Sequence, residues 1–488
     1  MSWSDADGRM TSSESNRFTH FPVSSVLPFA RVSIESTLIL WFATSPFASF
    51  YIRFPHERSL VTFDRAIFAI VGLTLLIKSR RTNAINPGGL RSAGFLTATR
   101  FEVAWALLSI VALISAVVAS NNSGYATKMA VDSFCLPLLA FHFSRHHFDA
   151  RNRVRSLALS AIWLAWSLFA TGAFEFVTGV NLFPYKGSEL LREGERRING
   201  PFAADSSFAI ICLLIALFLF AMPRLFRLRF DASARLVYAG ALAAGVLASL
   251  LPLFRSVAFA LLICWAIIEI GLANHKASGR DDKDGQKPSF FSSLLSSLRI
   301  ASLTKSRLLV FVAIALAVII AEGLSGAVRI EKRLADPRNV YGRLATWTAA
   351  AEVALENPIF GVGLSNYSEY FDEKYNWAGE SAAAVLDANA ANSPHSNPLW
   401  IMAELGMIGF VLYLAANIYL FLMGYRALKS ATDKRQRLAA TCFLALAVAY
   451  LIPGLTLASG YYSDLNLTFF FLLGVLSNKS LVAGSEPV

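Results

Sequence analysis

The chain has 488 residues, of which 55% are hydrophobic, and its mean hydropathy is +0.51. Soluble domains are typically about 45–50% apolar, so this composition excludes an ordinary soluble protein and predicts a polytopic membrane protein. The formal net charge of +11 does not indicate a nucleic-acid partner, because the basic residues fall in short runs between apolar segments, as they do in cytoplasmic loops.

Membrane-spanning helices are predicted at about twelve positions, because a hydrocarbon core about 30 Å thick is crossed by about 20 helical residues. The apolar segments of this length are 34–52, 60–77, 101–120, 127–143, 156–177, 204–222, 236–253, 256–273, 308–325, 398–424, 439–457 and 463–479. The sequence therefore predicts an all-α fold.

Basic residues predict the orientation of these helices. Every second loop carries several lysines and arginines, which assigns those loops and both termini to the cytoplasm. The intervening loops then face outward. The predicted organisation has these parts: a cytoplasmic tail at 1–33, transmembrane helices 1–9 over 34–325 with a mobile cytoplasmic connector at 274–307, a large outward loop at 326–397, transmembrane helices 10–12 over 398–479, and a cytoplasmic tail at 480–488.

The four cysteines lie inside apolar runs and form no CxxC motif or His-Cys cluster. Neither a disulfide framework nor a zinc site is therefore predicted, and the cysteines are expected to be small core residues.

The outward loop has the pattern of a folded segment and not of a linker. A helix is predicted from Asp336-Pro337, because Leu344, Trp347, Ala351 and Leu355 recur at spacings of three or four residues. Asn357-Pro358 should end this helix, and the following Gly361-Val362-Gly363 predicts a tight turn. The predicted functional site lies in this segment.

One histidine is a candidate for proton transfer. Of the seven histidines, only His56 and His395 fall on the predicted outward side. His395 stands at the start of a predicted helix, where a neutral imidazole could take a proton from a hydroxyl near neutral pH. The alternative is an interfacial histidine that caps a helix end.

Arginines on the outward side are the second candidate feature. Arg197, Arg255, Arg338 and Arg343 lie in loops or turns where the positive-inside rule disfavours cations. A guanidinium fork binds phosphate oxygens bidentately and keeps its charge, so these arginines suit a pyrophosphate at the membrane surface. The alternative for each is contact with lipid headgroups.

Acidic residues in or near the spans should have partners, because an isolated charge in hydrocarbon is costly. These residues are Asp64, Asp132, Glu175, Asp205, Glu269 and Glu404. Glu404 is expected to pair with a cation or to stabilise a buried network.

The motifs of this segment, taken in order, resemble those of the O-antigen ligase and polymerase superfamily. The matching pattern is Arg343-x-x-x-Trp347, Asn357-Pro358-x-x-Gly361-Val-Gly363-x-x-Asn366-Tyr367, His395-Ser-Asn and Ala403-Glu404-Leu-Gly406-Met-Ile-Gly409. Arg197-x-x-Gly200-x-Phe202 and Arg255 are similar to other outward motifs of the family. One departure is Phe254-Arg255-Ser256, where the family more often has a Ser-Arg pair.

The resemblance implies a GT-C-like membrane glycosyltransferase of the bacterial inner membrane, with the active face in the periplasm. Such enzymes move a saccharide from an undecaprenyl-pyrophosphate-linked donor to a hydroxyl of lipid A core, a growing glycan or a protein. They use neither a metal nor another cofactor. The chemistry is expected to be inverting, because no outward nucleophile with an activating base is evident.

By the same resemblance, individual residues take roles. Arg197, Arg255, Arg338 and Arg343 are the pyrophosphate-binding candidates, and His395 with Arg343 are the catalytic candidates. Trp347, Glu404, Asn366 and Tyr367 are expected to support the site.

Three alternatives remain open on the sequence. Ligase and polymerase share the donor chemistry and differ in an acceptor that no motif identifies. A secondary transporter of a small anionic solute would need ionisable pairs near the membrane midplane, for which Asp64 and Asp132 are candidates. A non-catalytic, lipid-binding membrane component is the third.

Overall fold

The computed structural model describes residues 33–51, 62–85, 98–149, 152–183, 198–226, 228, 231–252, 254–278, 338–375 and 393–478. Within these ranges the chain forms helices and turns without any β-strand, so the all-α prediction is confirmed. The predicted ninth span at 308–325 lies outside the described residues, as do most of the two predicted tails and of the connector.

The first group of helices follows the predicted apolar segments. They are α1 (Ile34–Tyr51), α2 (Phe63–Ile85), α3 (Arg100–Val118), α4 (Ser123–Ala130), α5 (Leu136–His146), α6 (Val154–Thr178), α7 (Asp205–Leu225), α8 (Ala232–Leu250) and α9 (Arg255–Ser278). A five-residue π-helical turn, Val131–Cys135, joins α4 to α5. Pro137 follows this turn, and because proline has no N–H for a regular helical bond, the wider turn accommodates it.

The second group contains the helices of the predicted outward loop and of the last predicted spans. They are α10 (Arg338–Glu356), α11 (Tyr367–Tyr375), α12 (Asn397–Ser430), α13 (Lys434–Gly454) and α14 (Ser463–Leu476), with a 3₁₀ turn at Ser459–Tyr461 before α14. The helix predicted to end at Asn357-Pro358 is confirmed, since α10 ends at Glu356.

Several of these helices could cross a membrane by length and composition. Within the described residues there are six: Arg100–Val118, Val154–Thr178, Asp205–Pro223, Ala232–Leu250, Asn397–Ser430 and Lys434–Gly454. Arg255–Ile268 and Ser463–Leu476 are shorter apolar helices. The chain is thus a polytopic membrane protein, and the total of twelve spans stays a prediction.

One face of α3 remains apolar and exposed. Val103, Leu107, Ile110, Ile114 and Val117 are about half exposed or more and recur every three or four residues. In a single chain such a stripe has no protein partner, and it is the face that a membrane helix turns to lipid. The opposite face of α3 packs against α12, and α5 packs against α14.

Charged groups on the helices have structural partners. Arg65 forms a bidentate ion pair with Asp132, with both donor–acceptor distances at 2.7 Å. Asp64 accepts a hydrogen bond of 2.7 Å from the Trp41 indole. The expectation that acids near the spans are partnered is thus met at both positions. Three of the four cysteines, Cys212, Cys264 and Cys442, are buried, as expected of core residues.

Candidate active site

The motif-bearing segment folds onto the start of a long apolar helix. Helices α10, α11 and the first turns of α12 share a small hydrophobic core of their own. Its buried members are Ala349, Ala350, Val353, Tyr367, Phe371 and Ala403, with Val362, Tyr370 and Leu399 packed against them. The three helices that carry or directly follow the resemblance motifs therefore form one packed unit.

Helix α12 is interrupted inside this unit. Gly406 has φ +63° and ψ −164°, which no α-helix contains, so the backbone groups around it lose their helical partners. The turn after α10 replaces those partners. Val362 N donates to Ala403 O at 2.9 Å and Gly363 N to Glu404 O at 3.1 Å. In return, Met407 N donates to Pro358 O at 2.8 Å.

Glycine is required where these two backbones meet. Gly361 has φ +70°, and a Cβ there would collide with the backbone of Ala403 and Glu404. A Cβ on Gly406 would likewise collide with the backbone of Ile359. Because both obstacles are backbone atoms, no side-chain rotation can relieve them. The two glycines of the sequence motifs thus serve close approach of a turn and a broken helix.

Glu404 stabilises a buried network. Its side chain is 1% exposed. Trp400 Nε1 donates to Oε2 at 2.7 Å, and Tyr461 OH and the Tyr367 N–H donate to Oε1 at 3.2 and 3.4 Å. Of the two roles expected for Glu404, its contacts with the described residues match the network and not a cation pair. The carboxyl group thereby connects α11, α12 and the 3₁₀ turn before α14.

Asn366 attaches the turn to the end of α3. Its Nδ2 donates to Ala119 O and to Val362 O, both at 2.9 Å. Its Oδ1 accepts from Asn121 N at 3.1 Å and from Ser120 Oγ at 3.3 Å. These four hydrogen bonds hold the motif-bearing segment against the end of α3. Asn366 therefore supports the site by fixing the position of this segment.

His395 occupies a strained position directly before α12. Its φ is +48°, which is uncommon for a residue with a side chain, and its N–H donates to Ser393 Oγ at 3.2 Å. The helix that follows is anchored by Asn397, which donates to Ser459 Oγ at 2.9 Å and accepts from Gly460 N at 2.8 Å. The half-buried imidazole thus stands on a firmly held backbone.

Arg343 and Trp347 lie one helical turn apart on α10, and both are half-buried. The Trp347 Nε1 atom is itself buried, and within the described part of the chain it has no hydrogen-bond partner. A buried donor left without a partner costs about 1–3 kcal/mol, so a group that accepts its hydrogen bond would be favoured there.

The structure gives less information about the other three predicted arginines. Arg255 begins α9 with an exposed side chain, and α9 packs chiefly on α13. Arg338 begins α10, but its side chain is not described, and Arg197 lies outside the described residues. The loop that follows Arg197 is held by Glu175, whose carboxyl accepts from Asn199 N at 3.2 Å and Gly200 N at 2.8 Å. Convergence of all four arginines with His395 stays a prediction.

Sequence reasoning missed the 3₁₀ turn Ser459–Tyr461 and Trp400. Tyr461 packs on the Trp400 ring, with ring centroids 4.4 Å apart, and both donate to Glu404. Burial raises the pKa of Tyr461 well above its usual range, so its hydroxyl remains a donor. The sequence signal that could have indicated this turn is Gly460-Tyr461-Tyr462, which lies between two apolar segments.

Comparison with known proteins agrees with the motifs. The family described as O-antigen ligase matches residues 289–414. A Rickettsia conorii protein, provisionally named a polysaccharide ligase, is 37% identical over 90 residues, which make up 17% of this chain and 20% of that relative. The alignment thus spans about a fifth of the relative's length. The family match covers the whole broken-helix unit, and this part of the chain is therefore similar to the O-antigen ligase family.

Proposed function

We propose that this protein transfers a glycan from undecaprenyl pyrophosphate to an acceptor hydroxyl at the periplasmic face of the bacterial inner membrane. The observation that carries the proposal is the packed unit of α10, α11 and broken α12 within the family match. Arg343 and Trp347 lie on α10, and His395 directly precedes α12. Similarity of this segment to the O-antigen ligase family supports the reaction class, and the residues of the unit support the roles below.

In the proposed reaction the acceptor oxygen attacks the anomeric carbon of the lipid-linked sugar. The bond from that carbon to the pyrophosphate breaks, and undecaprenyl pyrophosphate leaves with the bonding electrons. Arg343, with Arg197, Arg255 and Arg338, would stabilise the charge that develops on the leaving pyrophosphate. A single displacement of this kind inverts the anomeric configuration.

His395 would take the proton of the acceptor hydroxyl. General-base assistance of this type typically contributes about 10²- to 10⁴-fold to a rate. Its strained backbone, followed by the Asn397 anchor, supports a fixed imidazole position, since precise placement is what such catalysis needs. The buried Trp347 Nε1–H would donate a hydrogen bond to a sugar oxygen of the substrate.

Glu404 is proposed to position the site and not to react. Its oxygens already accept three hydrogen bonds, from Trp400, Tyr461 and the Tyr367 backbone. A carboxyl group occupied in this way stabilises the site but has little capacity to accept a substrate proton.

The periplasmic placement rests on the loop charges. Basic runs such as Arg426 to Arg437 lie at the end of α12 opposite His395, which supports a cytoplasmic location for that end. The acceptor is proposed to be lipid A core, a growing glycan or a protein, and ligase and polymerase activities share the donor step described here.

The transporter alternative gains no support from the described acids. Asp132 is paired with Arg65, and Asp64 accepts from Trp41, so both have structural partners that explain them without a transported ion.

The test is transfer by purified protein from a lipid-pyrophosphate glycan. We expect His395→Ala and Arg343→Ala to lower transfer by about 10²-fold or more at normal expression. Arg155→Ala is the matched arginine control, because Arg155 is exposed on α6 at the predicted cytoplasmic end. Full activity of both site variants would refute the proposed mechanism.

A second histidine variant separates chemistry from backbone strain. Asparagine tolerates positive φ better than alanine does, so His395→Asn should preserve the turn while removing the base. If His395→Asn transfers glycan as fast as the wild type while His395→Ala does not, the imidazole is not the base. The acceptor that remains bare in cells lacking the protein would distinguish ligase from polymerase.

A further inference from the structure

A second cluster of ionisable side chains lies at the opposite end of α3 from the candidate active site. Glu102 is on the first turn of α3, whereas the Asn366 contacts are at its last residues. Helix α3 has 19 residues and is therefore about 28 Å long, close to the thickness of the hydrocarbon core. The cluster and the candidate active site are thus separated by about one membrane thickness.

The cluster consists of Glu102 and two histidines on the last turns of α5. Glu102 Oε1 lies 2.8 Å from His142 Nδ1 and 3.5 Å from His146 Nε2. One ligand atom from each of the three residues lies within 4.8 Å of the other two. A tetrahedral zinc ion with bonds of about 2.0–2.1 Å separates neighbouring ligand atoms by about 3.3 Å. The 3.5 Å distance to His146 is close to that value, and the 2.8 Å hydrogen bond to His142 would lengthen by about 0.5 Å when an ion binds.

His146 provides an independent indication of a ligand. Its side chain is only 6% exposed, and its Nε2 atom is buried with no hydrogen-bond partner among the described residues. The 3.5 Å to Glu102 exceeds the usual 2.7–3.2 Å of a hydrogen bond from nitrogen to oxygen. A metal ion between the two atoms would occupy the nitrogen lone pair.

The surrounding structure orients the three groups for a shared ion. His142 and His146 are four residues apart on one helix, so their rings project from the same face. Thr99 donates its N–H to Glu102 Oε2 at 2.7 Å and its hydroxyl to the same oxygen at 2.9 Å. These bonds fix the carboxyl group and leave Oε1 directed at the histidines, as outer partners of metal ligands do.

Among the described residues, the neighbouring cation Arg145 forms no ion pair with the Glu102 carboxyl group. Arg145 lies between the two histidines in sequence, but its Nη1 donates to Met423 Sδ at 3.1 Å, and its guanidinium lies 5.8 Å from the Phe141 ring centroid. The Glu102 oxygens are instead shared by Thr99 and the histidines.

We propose that Glu102, His142 and His146 bind a divalent transition-metal ion such as Zn²⁺, with a water molecule as the fourth ligand. Two imidazoles and one carboxylate are a ligand set that zinc accepts. The ion would fasten α3 to α5 at the end remote from glycan transfer. It would therefore add to the stability of the bundle without entering the transfer reaction.

The test uses the full-length protein in detergent, treated with chelator and titrated with ZnCl₂. We expect one high-affinity zinc in the wild type by calorimetry, and an affinity at least about tenfold lower in His146→Asn and in Glu102→Gln. Because His146 Nε2 has no hydrogen-bond partner among the described residues, His146→Asn should still fold. His147→Ala is the matched control, because its ring lies 5.6 Å from that of His142 but outside the ligand set. It should keep the wild-type affinity.

Thermal unfolding supplies a second measurement. Zinc that binds the folded state should raise the midpoint of the wild type and of His147→Ala, and should leave His146→Asn unchanged. Equal zinc affinity in the wild type and His146→Asn would overturn the proposal, as would an absence of tight zinc binding to the wild type.

Discussion

Replacing Gly361 with alanine should loosen the turn that completes broken helix α12. An alanine at φ +70° carries about 1–2 kcal/mol of backbone strain. Its Cβ would also push against the backbone of Ala403 and Glu404, which accept the hydrogen bonds of Val362 and Gly363. Two such bonds contribute about 0.5–1.5 kcal/mol each, so the total loss of local stability is about 2–5 kcal/mol.

Hydrogen exchange followed by mass spectrometry measures this loss directly, because amides of a local unit exchange through its opening. Since about 1.4 kcal/mol corresponds to a factor of ten, exchange in peptides covering 357–366 should rise by about 30- to 3,000-fold. Gly72→Ala on α2 is the matched control: a Cβ there meets nothing within 4 Å, and exchange should not change. Unchanged exchange in Gly361→Ala would refute the close-approach argument.

Three further predictions concern the same unit. Asn366→Ala leaves Ala119 O and Asn121 N without their side-chain partner, and exchange in peptides covering 115–121 should rise by about tenfold or more. Glu404→Ala removes the acceptor of the Trp400 indole, and the thermal midpoint should fall further than in Glu404→Gln, whose amide oxygen still accepts. Transfer should be slower at acidic than at neutral pH, because a protonated His395 cannot take a proton, and a rate profile from about pH 5 to 8 measures this.

Each of these predictions has a contradicting result. Exchange at the end of α3 that is the same in Asn366→Ala and wild type would mean that Asn366 does not hold the turn. Equal midpoints for the two Glu404 variants would mean that the network adds nothing. A flat pH profile would leave His395 as a positioning residue for the acceptor.

The sequence predicted the helices well because apolar length is a local property. The segments at 101–120 and 398–424 became α3 and the first part of α12, and the end of α10 was predicted by Asn357-Pro358. The spacing of apolar residues along α10 was less informative about which residues are buried. Leu344 and Leu355 mark the helix but are 56% and 78% exposed, while Ala350 and Val353 are buried. The spacing of apolar residues along α10 therefore does not by itself identify the face that packs against the rest of the unit.

Non-local contacts account for what the sequence did not predict. Gly361 is predicted to lie in a tight turn, and Gly406 belongs to the Ala403–Gly409 motif, but nothing local indicates that the two glycines lie against each other. The histidines at 142 and 146 were set aside because their loop is predicted to be cytoplasmic. Their proximity to Glu102 depends on how α3 packs on α5, which a single sequence does not reveal.

The break in α12 also explains why the motif-bearing segment must be folded for the span to be stable. A helix interrupted near a membrane exposes backbone groups that hydrocarbon cannot satisfy, and each costs several kcal/mol. Here the N–H groups of Val362 and Gly363 and the carbonyl of Pro358 supply the missing partners. Insertion of α12 and assembly of the candidate active site are therefore coupled, because neither the turn nor the broken helix has its backbone satisfied without the other.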